Sequence, residues 1–190
     1  MARFWVKVVL AVAMSSIAIL IALANADDDQ GIDVFVKKIG EVVIVDAEFD
    51  VPATQRQAWD VLVDYEHMTQ FIPNLRSSRV LQRDDSKLRV SQSSKVPFGI
   101  LSISVDTVRD VDLKPYSEIR SQVISGTLKK GDATTRLIDL GSSTHIVYHS
   151  ETVSGTWIPQ GLGIPFVRRN IRDQMEALRS EMIRRQSSGS

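Results

Sequence analysis

The sequence predicts an α+β protein in which a strongly curved antiparallel β-sheet wraps around one long C-terminal helix, with two short helices after the first long strand. Three observations carry this prediction. From Leu75 the pattern is β for nearly 80 residues, broken only by short turn-like segments. No helical segment separates those strands, so parallel crossovers do not fit. Near the C-terminus Val167, Ile171, Met175, Leu178 and Met182 recur at spacings of 4, 4, 3 and 4, which is one apolar stripe along a helix and enough to cover one face of a sheet.

Residues 1–26 are unlike the rest. Arg3 and Lys7 give a positive start, Val8 to Ala24 is an uncharged run of 17 residues, and Ala24-Asn25-Ala26 sets small residues at the two positions that signal peptidase reads. Asp27-Asp28-Asp29 follows at once. This is the three-part pattern of a secretory leader, cleaved after Ala26. The alternative is an uncleaved N-terminal helix kept as an anchor, because 17 residues lie at the short end of the ~17–25 that span a bilayer. Either way the remainder is exported, to the periplasm if the source is Gram-negative. Residues 27–40 then form an N-terminal extension with the first hairpin strand, 41–185 the folded domain and 186–190 a disordered polar tail.

Residues 33–51 alternate with period two. Val34 and Val36 precede a turn at Ile39-Gly40, and Val43, Val45, Ala47, Phe49 and Val51 share one parity, so 33–38 and 41–50 read as a hairpin. Pro52 ends the strand. Thr54-Gln55-Arg56-Gln57 is a capping-box pattern, and Ala58, Trp59, Leu62 and Val63 follow at helical spacing, giving a helix from Gln55 to about Tyr65. Residues 66–72 form a second short helical turn, stopped by Pro73. The strands of the long β region are 75–83, 87–95, 100–111, 116–124, 131–140 and 144–153, joined as a meander through Asp84-Asp85, Pro97-Phe98-Gly99, Lys114-Pro115, Gly126–Lys130 and Gly141-Ser142-Ser143. The final helix follows a turn-rich lead-in containing Pro159, Gly161, Gly163 and Pro165.

Composition excludes several functions. The chain has 190 residues, 23 basic and 23 acidic groups and no cysteine. Zero net charge argues against a nucleic-acid binder. The absence of cysteine excludes disulfides, thiolate zinc sites and cysteine nucleophiles. Without residues 1–26 the mature chain has 21 basic and 23 acidic groups, a net of −2. Its length of about 164 residues suffices for one sizeable core.

The segment Val51-Pro-Ala-Thr-Gln-Arg-Gln-Ala-Trp59, followed by Asp64-Tyr65-Glu66 and Phe71-Ile72-Pro73, resembles the opening of the START-like (SRPBCC, helix-grip) superfamily. Gly126-Thr127-Leu128-Lys129 resembles that family's loop between two late strands, Thr144 to Tyr148 its last strand, and Pro159 to Leu178 its C-terminal helix. The nearest branch is the polyketide cyclase/dehydrase and coenzyme Q-binding START domain group, and the similarity covers about residues 41–183. Thr135 departs from the pattern, since many members carry tryptophan there, and this leaves more room on the inner sheet face. The resemblance implies the helix-grip fold and a hydrophobic cavity between the long helix and the sheet, in which members bind lipids, quinones, sterols or polyketides. A minority catalyse cyclisation or dehydration, and fold alone does not decide which.

Strand parity identifies the residues expected to face that cavity. They are Leu101, Ile103 and Val105; Ile119, Ser121 and Val123; Ala133, Thr135 and Leu137; and Ile146, Tyr148, Ser150 and Thr152. The small members among them leave space, and the hydroxyls of Ser121, Tyr148, Ser150 and Thr152 offer contacts to a ligand oxygen. Alternatively the helix approaches closely and the hydroxyls bond to backbone. Trp59, Ile171 and Met175 line the cavity from the helices or serve as core anchors. Phe98, Trp157, Ile158, Leu162, Ile164 and Phe166 form its mouth and a patch able to touch a membrane transiently, or else fold onto the core. Arg168, Arg169 and Arg172 face anionic headgroups or are simply solvated.

Catalytic and metal signals are weak. His145 and His149 share the outer parity and stand roughly 13 Å apart along one strand, too far to share an ion. His67 lies near Asp64 as a cap or an orienting pair. No His-Glu-x-x-His, P-loop, dinucleotide or Gly-x-Ser-x-Gly motif occurs. Glu118, Asp132 and Glu151 point outward, leaving Tyr148 as the one titratable group expected inside. No metal or cofactor is implied. The sequence thus points to an exported binder of a hydrophobic small molecule, more a carrier than an enzyme. A polyketide cyclase/dehydrase or an envelope protein-interaction module are the alternatives, and oligomeric state stays open.

Overall fold

The computed structural model describes residues 31–98, 101–154 and 160–188, with the backbone alone at 98, 101, 154, 160–162 and 188. The leader expected over residues 1–26 lies outside them. Eight strands build one sheet: β1 (Ile32–Ile39), β2 (Val42–Val51), β3 (Leu75–Asp84), β4 (Lys87–Phe98), β5 (Leu101–Lys114), β6 (Glu118–Gly126), β7 (Leu128–Asp139) and β8 (Thr144–Ser154). Their lateral order is β1-β2-β8-β7-β6-β5-β4-β3, with every neighbour antiparallel. The meander from β3 to β8 therefore returns to the first hairpin, and β8 lies between β2 and β7.

Helix α1 (Gln55–Leu62) starts at the expected capping box: the Thr54 hydroxyl accepts from Gln57 N–H at 3.3 Å, and Gln57 Oε1 accepts from Thr54 N–H at 2.9 Å. It is shorter than expected, and a 3₁₀ turn at Met68–Gln70 follows. Trp59 is buried in the core and meets the Tyr116 ring edge-on at 5.9 Å. That contact secures the β5–β6 turn, where Tyr116 holds a left-handed backbone (φ 62°) that an aromatic residue rarely adopts. The β6–β7 connection is tighter than expected. Gly126 has φ 125°, and a Cβ there would stand 2.0 Å from the Asp106 carbonyl oxygen, so only glycine fits.

Helix α2 (Gln160–Ser188) departs from expectation at both ends. The Gly- and Pro-containing segment expected as its lead-in is helical from Gln160, with Pro165 inside at the expense of one main-chain bond. At the other end Gln186, Ser187 and Ser188, expected as tail, extend the helix, and the Ser187 hydroxyl donates to the Ile183 carbonyl at 3.1 Å. The apolar stripe packs as expected. Met175 and Met182 are buried with α1 in the main core, beside Phe49, Leu88, Val90, Val111, Leu137 and Ile146, while Ile164, Val167 and Ile171 pack on Val36, Val43 and Val45 of the first hairpin.

Polar ties fix the C-terminal half of α2. The buried carboxylate of Glu181 accepts from Arg184 and Arg185 at 2.7 Å, and Arg185 also reaches Asp64 at 2.7 Å, which in turn holds His67 at 2.6 Å. The hydrogen bond from Arg184 leads in holding the Glu181 pKa at about 2, against an ordinary 4.5. A depressed carboxylate adds stability above its unfolded-state pKa, and that stability disappears as pH falls through the folded value. Urea unfolding should therefore show Glu181→Gln destabilised by ~1–3 kcal/mol at pH 7, with the gap to wild type closing between pH 4.5 and 2. A Gly126→Ala variant should lose ~2 kcal/mol or more in the same assay.

Candidate functional site

The inner face of the sheet changes character along its length. Nearest α1, the lateral row Phe49–Ile146–Leu137 is filled by large side chains. One step on is Ala47–Tyr148–Thr135–Ile119. The next row is Val45–Ser150–Ala133–Ser121–Val111, and beyond it lie Val43–Thr152–Gly131 on one side and Val123–Arg109–Val90 on the other. Bulk thus falls from aliphatic and aromatic to serine, alanine and glycine. A cleft opens there, bordered by Tyr148, Ser150 and Thr152 of β8, Gly131, Asp132 and Ala133 of β7, Ser121 and Val123 of β6, and Arg109 of β5. Gly131 is constrained by this packing, since a Cβ there would stand 2.9 Å from Val123 Cγ2.

The free volume among these residues is about 20 Å³, room for about one water. A pocket for a drug-sized ligand is roughly 300–1,000 Å³, well above the space among these residues. A larger hollow of about 290 Å³ lies on the opposite sheet face among Thr134, Arg136, Val147 and His149. It lies open to solvent on the outer face, so an apolar molecule there would remain partly wet. The inner cleft is the better candidate despite its size.

The chemistry of the cleft is specific. Thr152 donates to the Val43 carbonyl at 3.5 Å, whereas Ser121, Tyr148 and Ser150 make no side-chain hydrogen bond to other described residues. Their hydroxyls are thus not consumed by the backbone. Arg109 adds a cation that the parity reading omitted. That reading stopped at 108, but the apolar odd parity runs on through Val111 and Leu113, and Arg109 falls on it. Tyr65, half-buried against the core beside α1, has its pKa pushed up to about 12 by desolvation, against the opposing pull of the Arg109 charge. Tyr148 is therefore not the sole titratable side chain within. Asp132 borders the cleft, with its carboxylate engaged by Lys130 at 3.4 Å.

The expected site residues divide into groups. Ser121, Val123, Tyr148 and Ser150 border the cleft. Thr135 sits directly across from Tyr148, half-buried. Trp59, Ile119, Leu137 and Met175 are packed into the core, and Ile171 bridges the core and the hairpin cluster. Ile103, Val105 and Phe166 are half-buried. The side chains of Phe98 and Leu101 and all of Trp157 lie outside the described residues. On the outer face His145 pairs with Asp50 at 2.7 Å and His149 with Asp46 at 2.6 Å, so each imidazole has its own carboxylate.

Comparison with known proteins agrees with this geometry. Residues 51–179 match the family model described as polyketide cyclase / dehydrase and lipid transport. No curated protein matches the chain by sequence. Similar solved structures include a STAR-related lipid transfer protein (fragment 25–204) from Xanthomonas axonopodis, with 18% identity and a TM-score of 0.71 over 83% of this chain and 96% of that one. The Zhui aromatase/cyclase from Streptomyces sp. R1128 has 17% identity and a TM-score of 0.65 over 76% and 95%. Human StAR-related lipid transfer protein 5 has 15% identity and a TM-score of 0.63 over 93% and 98%. At such identities the likeness establishes the helix-grip fold.

A spectroscopic check follows from Tyr65. The chain has three tyrosines. In an ultraviolet titration of the folded protein one should resist ionisation until about pH 12, and Tyr65→Phe should remove that late step alone. Because the raised pKa favours the neutral phenol, its stabilisation holds below about pH 10 and is lost as pH rises through the folded value. The chain belongs to the polyketide cyclase / dehydrase and lipid transport family.

Proposed function

We propose that this member of the polyketide cyclase / dehydrase and lipid transport family is an exported carrier, which shields a hydrophobic small molecule of lipid, quinone or sterol type between α2 and the sheet. The observation that carries the reading is the inner-face gradient: a packed aliphatic end beside α1, then serine, alanine and glycine with hydroxyls the protein leaves unbonded. Burying apolar ligand surface gains ~25 cal/mol per Å², which needs no catalytic group. At about 20 Å³ the cleft must widen to take such a ligand, and on this reading it does so by separation of α2 from the sheet. The cost falls on contacts of Ile164, Val167 and Ile171 with the first hairpin, while the Glu181 and Arg185 ties hold the other end of the helix.

Native mass spectrometry of protein purified from its own envelope should reveal a co-purifying lipid or quinone. Ala133→Leu, which fills the cleft, should lower occupancy at least about tenfold with the fold retained. Protein that carries nothing and binds no fatty acid, quinone or sterol would overturn the reading. A cyclase or dehydrase is the second reading, favoured by Tyr148 and Arg109 meeting in one cleft; turnover of a polyketide that is lost in Tyr148→Phe would support it.

Export is supported by Arg3, Lys7, the uncharged run and Ala24-Asn25-Ala26. The first strand begins at Ile32, so cleavage after Ala26 spares every described element. The mature N-terminus should be Asp27 by sequencing, and a membrane-bound form that keeps residues 1–26 would favour the anchor.

A further inference from the structure

The inner face of the sheet carries a guanidinium that the fold does not neutralise. Arg109 lies on the inward parity of β5, between Val90 of β4 and Val123 of β6. Its Nε is buried and has no hydrogen-bond partner, and among the described residues its side chain enters no ion pair. An arginine side chain stays charged, and a charge facing an apolar interior is costly unless paired.

The nearby carboxylates are engaged elsewhere. Asp110 takes Arg89 in a two-pronged pair at 2.7 and 3.0 Å on the outer face, and Asp132 takes Lys130. The register between β5 and β6 slips beside Arg109: Val108 faces Ser125 and Arg109 faces Val123, so Ile124 is an extra residue, and it is exposed. Such a bulge increases local twist and re-aims neighbouring side chains. Across the cleft stand the unbonded hydroxyls of Ser121, Ser150 and Tyr148. The arrangement is thus one fixed cation with hydroxyl donors around it, set in an otherwise apolar wall.

We propose that the cleft is selective for amphiphiles with an anionic oxygen headgroup, a carboxylate or a phosphate, which enters head first and is held by Arg109 at the sheet. The inference rests on the carrier reading above and adds the class and orientation of the ligand. An acidic head supplies the partner that the half-buried Arg109 guanidinium lacks among the described residues, and Ser121, Ser150 and Tyr148 complete its hydrogen bonds. A neutral alcohol or sterol of equal length would leave the charge unpaired.

The test compares palmitate, 1-palmitoyl lysophosphatidic acid and hexadecanol as ligands of the mature protein, each below its micellar concentration. At least one anionic ligand should bind ~10–100-fold more tightly than hexadecanol, the range expected of a charge-assisted hydrogen bond. Which anion binds tighter identifies carboxylate or phosphate as the headgroup. In Arg109→Gln the anion preference should vanish, through weaker binding of the anionic ligands relative to hexadecanol. The wild-type comparison decides the matter even if that variant does not fold. Equal binding of all three ligands to wild type would overturn the headgroup assignment and leave the carrier reading standing. Binding of none of them, with a quinone and a sterol also unbound, would overturn both.

Discussion

The pairing of β8 with β2 on one side and β7 on the other is the constraint on which the rest of the molecule depends. It converts a six-strand meander and a separate hairpin into one sheet, and it sets Ala47 beside Tyr148 and Val45 beside Ser150. Because side chains alternate, a slip of one residue in that pairing would turn Tyr148, Ser150 and Thr152 outward and bring His145, His149 and Glu151 in. The register is held at the strand end by Thr144, wholly buried, whose hydroxyl donates to the Ala53 carbonyl at 2.8 Å. It is reinforced on the outer face by the pairing of each histidine with a β2 aspartate.

With the sheet closed in this way, packing and site chemistry divide along its length. At one end α1, Trp59, Met175 and Met182 cover the inner face with buried apolar side chains. The C-terminal turns of α2 are tied there by Glu181, Arg185 and Asp64. At the other end α2 meets the hairpin through Ile164, Val167 and Ile171, while the floor beside them is built of small residues and hydroxyls. Stability and capacity are thus assigned to different segments of one helix. Under the carrier reading, a ligand would part the second set of contacts and leave the charged ties of the first in place.

Much of this was legible in the chain. Period two fixed which residues of β5 to β8 face inward, and Ser121, Val123, Tyr148 and Ser150 were found by it because strand geometry is local and strict. The capping box and the helix stripe were legible for the same reason. The ends of α2 were not. Gly161, Gly163 and Pro165 read as breakers and Gln186 to Ser188 as a tail, because local propensity is a weak prior that packing overrides. Ile119 and Leu137 were read by parity as cavity residues but are core, since parity gives a face and not a depth, whereas Trp59 is the core anchor that its capped helix suggested.

Sequence by itself determined the element order and most of the inward set of β5 to β8, both properties of adjacent residues. The closure of β8 onto β2 and the gradient from filled to small rows were decided only by tertiary structure. So was the lack of an ion pair at Arg109 among the described residues. These depend on which distant strands lie side by side. Asp110 is next to Arg109 in sequence yet on the opposite face of the sheet. The chain shows a charge beside its natural partner, and the pleat separates them.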